Sequence, residues 1–344
     1  MTNTEIGTII EKALDFLYKK QESCGAFYGV SVNKDSETKS SKSPFATGLI
    51  LNALASIKGC PNINQSKLHT ITSKAVAYLL QQKDEIYPLW NYWEKGQLSR
   101  RSLPFDLDDT SVIVSAIKTW CPDLITDNDI SKIIKILTLL EKEFGGPYNT
   151  WFIDNKKDSK WQDFDIAVNA NIAYMLSCFQ IRNTELSKYF QECISTNNIF
   201  SQYYISTISI LYFISRVENG DRQYELKNSI LRKLKLFKAT NVLDTAMAIS
   251  ATCLLKANAD SCKKMINLII SSQNKDTGGW PSCILYFEYG NRLGKKTDRW
   301  HHGSDALTTS YCIEALQLFK FAGSLSGIEP ESRVPQTPVL TVTP

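Results

Sequence analysis

Residues 106–117 read DLDDTSVIVSAI, an acidic run followed by Thr-Ser and then an apolar stretch. Five other segments repeat this layout of a short polar or acidic lead and a small-residue-rich apolar run. They are SPFATGLILNAL (43–54), FDIAVNANIAYML (164–176), YYISTISILYFI (203–214), LDTAMAISATCLL (243–255) and SDALTTSYCIEAL (304–316). Helices apolar around most of their circumference belong in a core. Acids, Ser and Thr at their starts are helix N-cap chemistry.

Between these runs lie amphipathic segments near 5–20, 68–83, 129–143, 184–195, 222–238 and 259–273. In the first, Ile9, Ile10, Ala13, Phe16 and Leu17 trace one helical stripe. A polar-faced helix therefore alternates with a buried one, six times. The expected fold is all-α, an (α/α)6 barrel or α-α toroid of six outer helices around six inner ones, with every inner N-terminus opening on one face. Internal repetition on this scale makes residues 1–323 one domain. Residues 29–43 and 284–303 read as loops leading into inner helices. From 324 to 344 Pro, Ser and Thr dominate, and a disordered tail is expected.

Composition narrows the function classes. Of 344 residues 43% are hydrophobic and 22% charged, values of a globular protein rather than a disordered one. A net charge of +4 is too small to argue for nucleic acid. No apolar run reaches the roughly 18 residues of a membrane span, and the N-terminus has no basic-then-apolar leader, so a cytoplasmic protein is expected. The nine cysteines form no CxxC pair and fit reduced, mostly buried thiols.

Two turns carry a resemblance. The first amphipathic segment ends Phe16-Leu17-x-x-x-Gln21 and is followed by Gly25-Ala26-Phe27. The last ends Leu268-Ile269-x-x-x-Gln273, followed by Gly278-Gly279-Trp280. These resemble the QW repeats of the squalene–hopene cyclase and prenyltransferase superfamily. QQKDEIYPLW (81–90) and KEFGGPYNTW (142–151) look like degraded copies. The run Asp106-Leu107-Asp108-Asp109-Thr110 is similar to the DxDD(T) signature of class II terpene cyclases, which protonate an isoprenoid double bond or epoxide.

The resemblance implies a single-barrel terpene cyclase. Asp108 would be the general acid, Asp106 and Asp109 would orient it and set its pKa, and Thr110 and Ser111 would be its local hydrogen-bond partners. The chemistry suits these residue types. An isolated aspartate, with a pKa near 3.9, is ionised at neutral pH, whereas crowding and desolvation retain its proton. A carbocation then needs a dry site walled by rings. Candidate substrate-binding residues are Trp90, Trp161, Trp280, Tyr289 and Trp300, with Trp93, Trp151, Tyr286 and Phe287 on the same face. Arg292, Lys295, Lys296, Arg299, His301 and His302 could hold a diphosphate, which points to a prenyl diphosphate substrate. Protonation itself needs no metal, and Mg²⁺ would enter only as the diphosphate's counter-ion.

Structural roles fit some of these residues equally well. The three acids could be simple cap and first-turn residues, and the turn tryptophans could cap the repeat. Other readings of the chain are a non-catalytic lipid- or protein-binding barrel, or a carbohydrate-active barrel with a second acid among Asp163, Asp165 and Asp305. A prenyltransferase-like zinc would have to use Cys283, Cys312 and His301 or His302. A homodimer and peripheral membrane contact, the latter through Lys227, Arg232, Lys233, Lys235 and Lys238, are the macromolecular partnerships considered. No nucleic-acid partner is expected.

Overall fold

The computed structural model describes residues 3–33, 35–97, 103–153, 161–217, 224–236, 238, 240–287 and 300–325. The expected tail, apart from the end of the last helix, lies outside them. Among the described residues twelve α-helices alternate between the two predicted types. The polar-faced set is α1 (Asn3–Lys20), α3 (Gln65–Gln82), α5 (Asp127–Leu140), α7 (Thr184–Ser195), α9 (Tyr224–Lys235) and α11 (Lys263–Ser271). The apolar set is α2 (Pro44–Leu54), α4 (Leu107–Trp120), α6 (Ile166–Cys178), α8 (Thr207–Val217), α10 (Val242–Leu254) and α12 (Asp305–Leu325). Every residue of α2 is buried, whereas α5 buries one stripe built on Ile130, Ile133, Ile136, Leu137 and Leu140. The apolar helices pack in a cycle: α2 on α4, α4 on α6, α6 on α8, α8 on α10, α10 on α12 and α12 on α2.

The glutamines of the QW-like turns join neighbouring polar-faced helices. Gln21, just past α1, donates to the carbonyls of Gly25 and of Ile71 on α3 (3.0 and 2.8 Å). Gln273, just past α11, donates to Gly278 and to Ile9 on α1 (2.7 and 3.2 Å), so the last such helix is tied to the first. The glycines permit this approach. Gly25 and Gly278 have φ of +98° and +82°, and a Cβ on them would stand 2.1 Å from the Lys74 carbonyl oxygen and 2.4 Å from that of Lys12.

A second bond recurs where each turn meets its apolar helix. The backbone N–H groups of Phe27, Trp90, Tyr148 and Trp280 donate to side-chain oxygens of Thr47, Thr110, Asn169 and Thr309 (2.8–3.1 Å). Buried turn donors are thereby satisfied by polar residues placed early in otherwise apolar helices.

The all-α expectation needs correction. Residues expected to be loops form β1 (Tyr28–Val32), β2 (Thr38–Lys42), β5 (Cys283–Phe287) and β6 (His301–Ser304), an antiparallel sheet ordered β2-β1-β6-β5. Two shorter strands, β3 (Phe105–Asp106) and β4 (Trp151–Phe152), pair with each other. All six strands lie in connections that lead into apolar helices, and their pairing gathers those connections at one end. Residues 203–206 are not helical: Tyr204 bridges to Tyr286 of β5, and α8 begins at Thr207. All nine cysteines are free thiols. No helix among the described residues is long and apolar enough to cross a membrane.

Candidate active site

The acidic run stands at the start of α4, where the pairing of Asp106 with Trp151 and the bond from the Leu107 N–H to the Thr150 carbonyl (2.8 Å) fix the approaching chain. Asp106 is the N-cap, half-buried, and one of its carboxylate oxygens accepts the Asp108 N–H at 2.6 Å. The capping role therefore holds for this acid. Asp108 and Asp109 occupy the first turn and are buried, Asp108 keeping 6% of its surface accessible. Two neighbours hold the Asp108 carboxyl. Asn171, from α6, donates to Oδ1 at 2.5 Å, and the Tyr204 hydroxyl donates to Oδ2 at 2.7 Å. The same Asn171 amide lies 3.3 Å from the Tyr204 hydroxyl, and its oxygen accepts from Arg216 at the end of α8.

Burial pushes Asp108 up to about 6 from 3.8, opposed by the Tyr204 and Asn171 hydrogen bonds. Asp165 adds to the rise and Arg216 works against it. Asp106 is also raised, first by burial and then by the charge of Asp108. The site thus carries an acid that retains part of its proton near neutral pH. Its conjugate base would find two ready donors and a helix N-terminus.

Aromatic rings extend from this acid. Tyr204 packs on Phe213 and Tyr286 (centroids 4.9 and 6.4 Å apart), and Tyr286 stacks on His302 at 5.1 Å with an 11° interplanar angle. Tyr92 and Phe45 present edges to Tyr286, and Trp93 packs on Tyr92. On the other flank Trp151 meets Trp161 and Tyr203 edge-on, and the Tyr203 hydroxyl donates to Asp163.

Several predicted site residues fall elsewhere. Trp90 and Trp280 are fully buried in the turns, and their indole N–H groups donate to the Leu79 and Ile269 carbonyls at 2.7 Å, so they cap polar-faced helices rather than line a substrate site. Thr110 is spent on the Trp90 N–H and is not a partner of the acid. His302 is buried, with Nδ1 shared between the hydroxyls of Ser31 (2.8 Å) and Tyr92 (3.1 Å). Burial lowers its pKa to about 4, so at neutral pH it is no cation for a diphosphate. His301 is exposed near Phe287, and Trp300 is half-buried under the Lys39 ammonium at 4.3 Å. Tyr289, Arg299, Arg292, Lys295 and Lys296 lie outside the described residues.

The acids of the carbohydrate reading have other duties. Asp165 caps α6 through the Ala167 and Val168 N–H groups, and its second oxygen accepts from the Ser201 hydroxyl and the Gln202 N–H. Asp305 pairs with Lys20 at 2.7 Å. Among the described residues no three His, Cys, Asp or Glu side chains gather as a metal site. Tyr204, Asn171 and Arg216 are absent from the sequence reading. Their signal was an amide in α6 and one charged residue in the apolar run of α8.

No family model matches the chain, and no curated protein matches it. Solved structures do. Type II terpene cyclase MstE from Scytonema, determined in complex with geranylgeranyl dihydroxybenzoate, superposes with a TM-score of 0.70 at 14% identity, covering 93% of this chain and 98% of that one. The chain has a terpene-cyclase-like fold. Cellobiose 2-epimerase from Bacillus thermoamylovorans also superposes (TM-score 0.62, 14% identity, 92% and 99% covered). ent-Copalyl diphosphate synthase from Streptomyces platensis matches over half its length (TM-score 0.50, 12% identity, 80% and 50% covered). A fold that supports both cyclases and an epimerase leaves function to the site.

Proposed function

We propose that this chain is a class II terpene cyclase, a single (α/α)6 barrel spanning residues 1–323, in which Asp108 protonates a linear isoprenoid. The observation that carries the reading is the buried Asp108 carboxyl, raised to about 6 and held by Tyr204 and Asn171 beside a wall of rings. The proton on Asp108 passes to an alkene carbon, the π pair forms the new C–H bond, and a tertiary carbocation remains. Phe45, Tyr92, Tyr204, Phe213 and Tyr286 are the ring faces that would stabilise it. Tyr204 and Asn171 hold the carboxylate left behind.

A prenyl diphosphate is the proposed substrate, its head group near Lys39 and the exposed His301, with Mg²⁺ arriving as its counter-ion. The cyclases among the structural neighbours support an isoprenoid over a sugar, as does the commitment of Asp165 and Asp305 elsewhere. Exposed Ile86, Phe144, Phe200 and Ile205, in connections at the same end, favour peripheral contact with a lipid surface that dissolves such a substrate.

The test is incubation with farnesyl, geranylgeranyl and squalene-type substrates, free and as diphosphates, with products analysed by mass spectrometry. Cyclised product from the native chain and none from Asp108→Asn is expected. A folded native chain that converts none of them refutes the reading.

A further inference from the structure

Arg216 is the one charged side chain of α8 and is 7% exposed. Its guanidinium lies over the rings of Tyr174, Phe213 and Tyr212, with centroids at 4.1, 5.0 and 5.4 Å. It donates to the Asn171 amide oxygen. A guanidinium has donors and no acceptor, so the oxygen of Asn171 must face it and the NH₂ must face the other way. That NH₂ meets Asp108 Oδ1 and can only donate there. Oδ1 is therefore an acceptor, the role a carbonyl oxygen fills better than a hydroxyl one, so the arrangement favours the proton on Oδ2. The group facing Oδ2 is the Tyr204 hydroxyl, which can accept from a protonated oxygen or donate to an ionised one.

We propose that Arg216 is a positioning residue which, acting through Asn171, fixes Oδ2 as the oxygen of Asp108 that carries the transferable proton. This rests on the cyclase reading above. In the step, the Oδ2–H bond breaks as the alkene π pair takes the proton, and the Tyr204 hydroxyl turns from accepting to donating toward the new carboxylate. Without Arg216 the amide is free to turn over and offer its oxygen to Asp108, and the proton is then distributed between two oxygens.

Other groups act on the same carboxyl. Asp106 and Asp109 flank it, Asp165 heads α6, and Tyr286 of β5 and Tyr311 of α12 feel its charge. α2, packed beside α4, has no titratable side chain. Around Arg216 itself stand Tyr212, Tyr174, Tyr311 and Glu314. Removing the guanidinium takes away a cation that favours the ionised acid, so Asp108 holds its proton to higher pH.

The experiment is a double-mutant cycle with steady-state kinetics. Arg216→Met is expected to lower kcat about tenfold or more with KM nearly unchanged, and to move the alkaline limb of the pH profile upward. Arg216→Lys, which keeps a donor and a charge, is expected to recover most of the loss. Because the effect runs through Asn171, Arg216→Met should cost little further kcat in an Asn171→Leu background. Full additivity of the two substitutions, or a kcat for Arg216→Met within twofold of the native value, overturns the proposal. A second readout needs no turnover: the ¹³C carboxyl titration of Asp108, assigned by its disappearance in Asp108→Asn. An upward move in Arg216→Met supports the coupling even where no substrate cyclises, a result that would sink only the cyclase reading. An unmoved titration overturns the inference.

Discussion

Replacing Tyr204 with Phe separates the two opposing influences on the acid. With Asp108 at about 6, roughly a tenth of the molecules hold the proton at pH 7, against on the order of one in a thousand at 3.8. Burial thus gives about a hundredfold more loaded acid. On the cyclase reading the protonated form is the active one, so kcat/KM is expected to be flat below about pH 6 and to fall nearly tenfold per unit above it. The Tyr204 hydroxyl donates to the carboxylate at 2.7 Å and favours the ionised form. A hydrogen bond to a charged group contributes roughly 1.5–3 kcal/mol, equivalent to about one to two pH units.

In Tyr204→Phe the alkaline limb should therefore move up by about one unit or more, so that activity at pH 8 falls less steeply than in the native chain. The maximal rate should decline, because the conjugate base loses a donor at the moment it forms. The assay is product formation between pH 5 and 9, with thermal denaturation confirming the fold. A limb that stays in place, or moves toward acid, refutes the assignment of Asp108 as the acid set by burial against Tyr204.

Three other outcomes are expected. Asp108→Asn should abolish cyclisation yet raise stability. A carboxyl raised by folding destabilises the native state progressively as pH climbs from 3.8 to about 6 and constantly above that, so the gain above pH 6 is at most about 3 kcal/mol and is absent below 3.8, as urea titrations at pH 4 and 8 would register. Gly278→Ala should lower stability by roughly 2–4 kcal/mol, through its φ of +82° and the 2.4 Å approach to the Lys12 carbonyl oxygen; a melting temperature within a degree of native would contradict the turn geometry. Thr110→Val should destabilise by about 1–3 kcal/mol, because the buried Trp90 N–H loses its acceptor, while leaving kcat per folded molecule unchanged; a large kcat loss would return Thr110 to the acid's own circle.

Much of the fold was legible because its signals are local. The alternation of stripe-faced and wholly apolar runs fixes all twelve helices, and Gln21, Gly25, Gln273 and Gly278 mark two turns whose bonds the structure contains. The sheet was not legible, because Ser31 pairs with His302 from the other end of the chain and strands of four or five residues give little periodicity. The same pairing explains His302: in a loop it would be solvated and free to take up charge near neutral pH, but on β6 it is stacked on Tyr286 and neutral. Tyr204 looked like the first turn of a helix, and its extended backbone depends on a bridge to Tyr286 that no local pattern announces.

The repeat itself distinguishes scaffold from chemistry among the polar residues. Counting from the N-cap, Ser43, Asp106, Asp165 and Asn241 are equivalent, and each accepts an N–H of the helix it opens. Four positions on, Thr47, Thr110, Asn169 and Thr245 are all polar and all bonded to backbone. Three positions on, Asp109 has a counterpart in Asp244, which binds the Thr240 and Asn241 side chains at a helix start. Two positions on stand Phe45, Asp108, Ala167 and Leu243. Only Asp108 is polar there, so no recurring structural need accounts for it. A buried carboxyl without a scaffold duty carries a desolvation penalty that the fold avoids in the equivalent helices. Of the three acids in the run, it alone stands where a repeated architecture calls for a hydrophobic side chain, and it is the one held by Asn171 and Tyr204.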